Sequence, residues 1–173
     1  MKLIEYTVAW DVSDFLRLVR HPLRFRLFLL SRLPSALFAG VRIAHIDESR
    51  CVTTIRYRWF TRNPFHSLYF ACLSMAAEMS TGALAMCHVH GRRPSVALLV
   101  VRVESVYSRK ARGLIRFTCN DGEAIGRAVE QAVAGGEAAT VEARSIGTNE
   151  QGEVVAEFAV TWSFRKRNSV DSR

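Results

Sequence analysis

At 173 residues, 49% of them hydrophobic and 23% charged, the chain has the composition of one globular domain rather than a disordered segment; that length buries roughly 70% of the unfolded surface. Its net charge of +8 favours anionic partners: nucleic acid, anionic lipid or a phosphorylated small molecule. The four cysteines (Cys51, Cys72, Cys87, Cys119) have no C-x-x-C spacing and no histidine set suited to zinc, so the reading is reduced thiols in a cytoplasm, with no metal and no tightly bound cofactor.

The first residues, "MKLIEYTVAWDVSDF", show no basic region leading into an apolar one, so no signal peptide is expected. "SDFLRLVRHPLRFRLFLLSRL" spaces Phe15, Leu16 and Val19 on one helical face; Pro22 interrupts, and Leu23, Leu27 and Leu30 resume among arginines. This basic amphipathic stretch suits either the edge of its own domain or peripheral contact with an anionic membrane. Two strands follow, "VRIAHID" and "CVTTIRYRWF", split by a hairpin-length "ESR". In the second, Thr53, Ile55, Tyr57 and Trp59 alternate with Thr54, Arg56 and Arg58.

Beyond a long apolar segment, "SVALLVVRVESVY" opens with a nearly continuous apolar run, as a central strand would. "GLIRFTC" alternates, "EAATVEARSI" is weaker, and "VVAEFAVTWSFR" puts Val154, Ala156, Phe158, Val160, Trp162 and Phe164 on one side. Between the fourth and fifth strands, "NDGEAIGRAVEQAVAGG" reads as a short helix, with a capping-box spacing from Asn120 to Glu123 and a Gly135-Gly136 stop. "RKRNSVDSR" closes the chain as a polar tail over residues 168–173.

From Ser67 to Cys87 the chain carries a single charge, Glu78, near the middle. The length suits a bilayer span. Against that, Ser67, Ser74, Ser80 and Thr81 are polar, and a carboxylate at the bilayer centre costs about 2.5–3.5 kcal/mol. A helix buried on nearly all faces by a wrapping sheet explains the same pattern, so no transmembrane segment is expected. The order defines an α+β fold: about six antiparallel strands around a long apolar central helix, with an added N-terminal helix.

That order, with "NPFHSLYFACLSMAAEMSTG", resembles the hotdog-fold thioesterase superfamily, and most of all a branch known only as a domain of unknown function. The resemblance covers residues 37–166. It implies an N-terminal helical extension over residues 1–36 and a hotdog domain over 37–167. By the same resemblance, Asn63 matches the family's loop Asn, Ser67 a common Thr/Ser position, and Glu78 the carboxylate of the central helix. Where relatives often have Gly near the helix start, this chain has His66, Phe70 and Ala71. "VTWSF" in the last strand also resembles the branch, as a packing feature.

Thioester hydrolysis needs an activated water or nucleophile, and donors aimed at the developing oxyanion. Glu78 serves either as general base or by direct attack, and Asn63 orients water or the carbonyl. Backbone N–H groups around Ser67 to Phe70 supply an oxyanion hole on the positive end of the helix dipole. Ser67, His66, Tyr69 and Phe70 are the substrate-binding candidates, and Phe65, Leu68, Leu73 and Met75 further acyl lining. Each has a plainer reading: Asn63-Pro64 is a good turn, Ser67 a helix cap, His66 an exposed imidazole, Cys72 a core residue, Glu78 a buried carboxylate with a structural partner. Arg92, Arg93, Arg109, Lys110 and Arg112 can meet coenzyme A phosphates or simply be solvated.

Along a helix at about 1.5 Å per residue, Phe70 and Glu78 lie about 12 Å apart. One thioester cannot easily reach both in one chain. A two-fold homodimer, which can pair again into a tetramer, brings Glu78 of one copy to the helix start of the other. The leading expectation is a thioesterase acting on acyl-CoA or another acyl thioester, with coenzyme A present only as part of the substrate. The alternative is a non-catalytic fatty-acyl or acyl-carrier binding protein. The alternating arginines of "IRYRW" come with no recognised nucleic-acid motif, so nucleic acid is not an expected partner.

Overall fold

Side-chain alternation in the strands and its absence in the long apolar segment settle the architecture. The computed structural model describes residues 12–167; the first eleven residues and the polar tail at 168–173 lie outside the described residues. Six strands form one antiparallel sheet: β1 (Arg42–Ile46), β2 (Cys51–Arg56), β3 (Val96–Tyr107), β4 (Leu114–Cys119), β5 (Ala139–Thr148) and β6 (Val154–Lys166). Their order is β1-β2-β4-β5-β6-β3. The α+β arrangement is the one read from the sequence, a sheet around a central helix.

That helix, α4 (Phe70–Val89), is apolar all round and buries most of its residues. By length and composition it could cross a membrane, but here it packs against β2, β4 and β5. Its polar groups are matched to the sheet. Thr53 Oγ1 donates to the Ala76 carbonyl at 2.6 Å, and Ser80 Oγ lies 2.7 Å from Ser145 Oγ. The Trp162 indole N–H donates to Thr81 Oγ1 at 3.0 Å. Each bond satisfies a buried group that would otherwise cost about 1–3 kcal/mol. On β6, Ala156, Phe158, Val160, Trp162 and Phe164 all face the core. The weak sequence of β5 pairs along its length with β6 and over Ile146–Thr148 with β4, where Gly147 admits Phe117, whose ring would stand 2.5 Å from a Cβ there.

Several local expectations change. Among the described residues β3 is an edge strand, paired only with β6, and Leu99, Val101, Val103 and Val106 along it are 49–65% exposed. A continuous apolar run reads the same whether a second strand or another chain covers it. β2 stops at Arg56, and Trp59–Thr61 form a 3-10 turn that leaves Trp59 exposed. That turn is fixed by Thr61 Oγ1, which accepts from Arg58 N–H at 3.0 Å and donates to the Arg56 carbonyl at 2.9 Å.

The helix α5 (Gly122–Gly135) begins after Asp121, not Asn120, and Asp121 makes no side-chain cap. Its carboxylate instead accepts from the Arg144 N–H, tying the helix to β5. Three helices stand where one broken helix was expected: α1 (Val12–Arg20), α2 (Pro22–Arg32) and α3 (Pro34–Ala39). Pro22 and Pro34 each start one, where the missing N–H costs nothing. Phe15, Val19, Phe25, Leu29, Ala36 and Ala39 join the core.

Candidate active site

Asn63 builds the loop that leads into α4. Its Oδ1 accepts from the N–H groups of Phe65 (3.0 Å) and Ser67 (3.1 Å). Its Nδ2 donates to Ser67 Oγ (3.0 Å) and to the Leu68 carbonyl (3.2 Å). Both amide protons and the carbonyl are thereby engaged inside the loop. The turn closes with His66 in the left-handed region (φ 58°), a conformation uncommon outside glycine. The His66 side chain is exposed, and its carbonyl accepts from Arg112 Nε at 3.1 Å. Ser67 is buried, and its hydroxyl turns back to Asn63 rather than capping the helix; the cap position is Tyr69, with no side-chain cap.

The N–H groups at the helix start are fewer than the sequence suggests. Ser67 N–H goes to Asn63, Leu68 N–H to the Ala111 carbonyl at 2.8 Å, and Tyr69 N–H to the Thr61 carbonyl at 2.8 Å. Among the described residues, Phe70 and Ala71 keep N–H groups without an acceptor. These two donors sit on the positive end of a 20-residue helix. Phe70 also lines a groove of about 580 Å³, together with Phe65, Tyr69, Tyr107, Arg109 and Lys110 among others. Tyr69, Phe70 and Tyr107 make an aromatic ladder along it, with centroids 4.8 Å and 6.4 Å apart. Of the expected acyl lining, Phe65, Leu68 and Leu73 border this groove, Leu68 and Leu73 from the core, and Met75 does not.

Glu78 lies two turns further along, in a different cavity. This one is about 200 Å³ and apolar, walled by Phe25, Phe28, Leu29, Leu98 and Trp162, and among the described residues Glu78 is the only charged one that lines it. The carboxylate makes no hydrogen bond or ion pair among the described residues. Burial pushes its pKa above the ordinary glutamate value, because the charged form loses hydration and gains no partner. Gly82, one turn on, leaves the room it occupies: a Cβ there would stand 3.0 Å from Oε1 and 3.2 Å from the Trp162 ring.

The structure therefore brings Asn63, Ser67, Tyr69 and Phe70 together and leaves Glu78 apart from them. Gly82, Trp162 and Tyr107 join the two sites without any sign in the sequence beyond apolar patterning. The thiols take no part: all four are buried and free, and burial pushes Cys87 and Cys119 up to about 12.

A six-stranded antiparallel sheet wrapped on one long apolar helix is the hotdog fold. The chain belongs to the family described as Domain of unknown function (DUF4442), whose model matches residues 23–164. Solved structures share the fold. A Pseudomonas aeruginosa protein of unknown function, described as a probable thioesterase, is 24% identical over 84% of this chain and 97% of its own, with a TM-score of 0.72. The E. coli PaaI protein from the phenylacetic acid degradation operon is 14% identical over 87% and 96%, with a TM-score of 0.59. A Haemophilus influenzae thioesterase is 12% identical over 81% and 88%, with a TM-score of 0.57. No curated protein matches the chain in sequence.

Proposed function

We propose that the protein is an acyl thioester hydrolase of the acyl-CoA type, working as a homodimer. The observation that carries this reading is Glu78: an unpaired, half-buried carboxylate in an apolar cavity, with its pKa raised above the ordinary glutamate value by desolvation. Water attacks the thioester carbonyl carbon as Glu78 takes its proton. The negative charge on the carbonyl oxygen is met by the N–H groups of Phe70 and Ala71. Collapse of the tetrahedral intermediate breaks the C–S bond, and the proton held by Glu78 leaves with the thiol. Direct attack by the carboxylate, through an anhydride, needs the same ionised Glu78.

Each cavity holds half of this machinery, which is the support for a dimer. The exposed apolar edge of β3 offers the surface: such edges are covered or paired in native proteins, and pairing β3 with a second copy extends the sheet across a two-fold axis. Glu78 of one copy then faces the helix start of the other. Asn63, saturated by its loop, acts as a positioning residue for those donors. Tyr69 and Phe70 flank the thioester, and Lys110 and Arg109, at the groove rim, meet coenzyme A phosphates. The cavity beside Glu78 is smaller than the roughly 300–1,000 Å³ of most ligand pockets and takes only part of an acyl chain.

The second reading, a non-catalytic acyl-binding protein, draws on one observation: Phe70, 55% exposed, stands over the helix start. The test is hydrolysis of a short-to-long acyl-CoA panel by the purified protein, following thiol and carboxylic acid together. Equimolar release of both from some member supports the hydrolase. Tight binding of acyl-CoA with no release from any member favours the binding protein.

A further inference from the structure

We propose that the N-terminal helices form a docking surface for an anionic phospholipid bilayer, seated by the outer face of α2 and an arginine-lined groove beside it. Helix α2 is apolar on two sides. At about 100° per residue, Phe25 and Leu29 turn inward, where they are buried, while Leu23, Leu27 and Leu30 fall within about 60° of one another on the opposite side. Those three are 68%, 66% and 52% exposed. Arg24 and Arg26 flank the stripe on either side, so the helix presents leucines between cations, the pattern of a helix lying in a membrane interface.

The groove gives the second, independent observation. It encloses about 420 Å³ between α1, α2 and β1, and among the described residues its lining includes Arg20, Arg26, Arg42 and Arg58 but no carboxylate. None of the four has an acidic partner among the described residues: the nearby Asp47 is engaged by His45 of the same lining at 2.8 Å, and the other ion pairs engage other arginines. Two are held in place by the fold. Arg20 Nη2 donates to the Ile46 carbonyl at 3.1 Å, and the Arg58 guanidinium lies against Gly40, whose left-handed conformation (φ 75°) and missing Cβ admit it. Four uncompensated guanidiniums around one groove are a receptor for phosphodiester oxygens.

Only one occupant satisfies both features. Duplex nucleic acid supplies phosphates but nothing apolar for Leu23, Leu27 and Leu30. A second copy supplies leucines but brings its own arginines across the two-fold axis. An anionic bilayer supplies phosphates to the arginines and acyl chains to the leucines. The inner face of the same helix, through Phe25, Phe28 and Leu29, walls the cavity that holds Glu78. A bilayer-seated α2 therefore stands between lipid and the candidate active site.

The experiment is cosedimentation of the full chain with vesicles of phosphatidylcholine alone and of phosphatidylcholine and phosphatidylglycerol in equal parts. It reads no turnover, so it succeeds or fails independently of the hydrolase reading. Partitioning onto the anionic vesicles only, weakened by added salt, is expected. Arg26→Glu with Arg42→Glu lowers it by about fivefold or more per arginine. Leu23→Asp with Leu27→Asp lowers it on the order of tenfold or more. All four sites are exposed, so the thermal midpoint of each variant stays that of the wild type. Absence of binding to anionic vesicles overturns the proposal, as does equal binding to both kinds or binding indifferent to these substitutions. Binding of duplex DNA but not vesicles, or a leucine variant that changes only the oligomeric state, overturns it too.

Discussion

Glu78 Oε1 lies in space that glycine at residue 82 leaves open: a Cβ on that residue would crowd it at 3.0 Å. The helix thus gives up the better helix former at this position, at a cost of about 1 kcal/mol, and gains a fixed place for a carboxylate against Trp162. Gly82→Ala reverses the trade. The thermal midpoint shifts little, because gained helix propensity opposes crowding against Glu78 and the Trp162 ring, 3.0 and 3.2 Å from such a Cβ. Thioester hydrolysis falls by about tenfold to 10²-fold, the effect of displacing a reacting group by up to about 1 Å. Unchanged activity in this variant counts against a positioned Glu78.

The same burial makes stability depend on pH in a definite direction. In the unfolded chain Glu78 ionises near its ordinary value of 4.5, and in the folded chain above it. Below that range both states are protonated and nothing is lost. As pH rises through the window between the two values, the unfolded state gives up its proton first, and folding stability declines. Glu78→Gln removes that loss. The variant is expected to be more stable than the wild type at neutral pH, by about 1 kcal/mol as for other relieved functional residues, and equal to it below the window. Chemical denaturation at both pH values checks this.

Asn63 makes its contribution through the loop. Asn63→Ala forfeits four hydrogen bonds at about 0.5–1.5 kcal/mol each, partly replaced by water, for an expected loss of about 2–3 kcal/mol. Asn63→Asp keeps the two acceptor bonds from Phe65 and Ser67 and loses the two donated by Nδ2, so about half that loss follows. Equal stability of all three proteins would show the loop to be held by other contacts.

The β3 edge makes the dimer testable without touching either cavity. Val103→Lys places a charge on the exposed edge and is expected to shift the protein to monomer in sedimentation equilibrium, raising the dissociation constant at least tenfold. Activity falls in proportion to the monomer formed, because no single chain presents Glu78 to its own helix start. A monomer that retains full turnover contradicts the shared site.

How much of this was legible beforehand follows from the range of the interactions involved. The single charge in Ser67–Cys87 marked both α4 and Glu78, because an all-round apolar helix and its exception are visible in one dimension. The strand alternation of β6 was equally plain. The edge position of β3 was not, since Leu99 to Val106 look alike whatever covers them. The separation of Glu78 from Phe70 at the helix start follows from helix rise, but the Gly82–Trp162 recess around its carboxylate joins residues eighty apart in the chain. Asn63 looked like a reacting amide or a turn residue; only the complete set of its partners shows both protons engaged.

The most direct test of the central claim is the steady-state rate of Glu78→Gln beside the wild type on the acyl-CoA that the wild type hydrolyses best. Loss of a general base predicts a fall in kcat of about 10²–10⁴-fold, with KM and the folded state retained. A rate within a few-fold of the wild type would contradict it and leave Glu78 a half-buried carboxylate with no part in the chemistry.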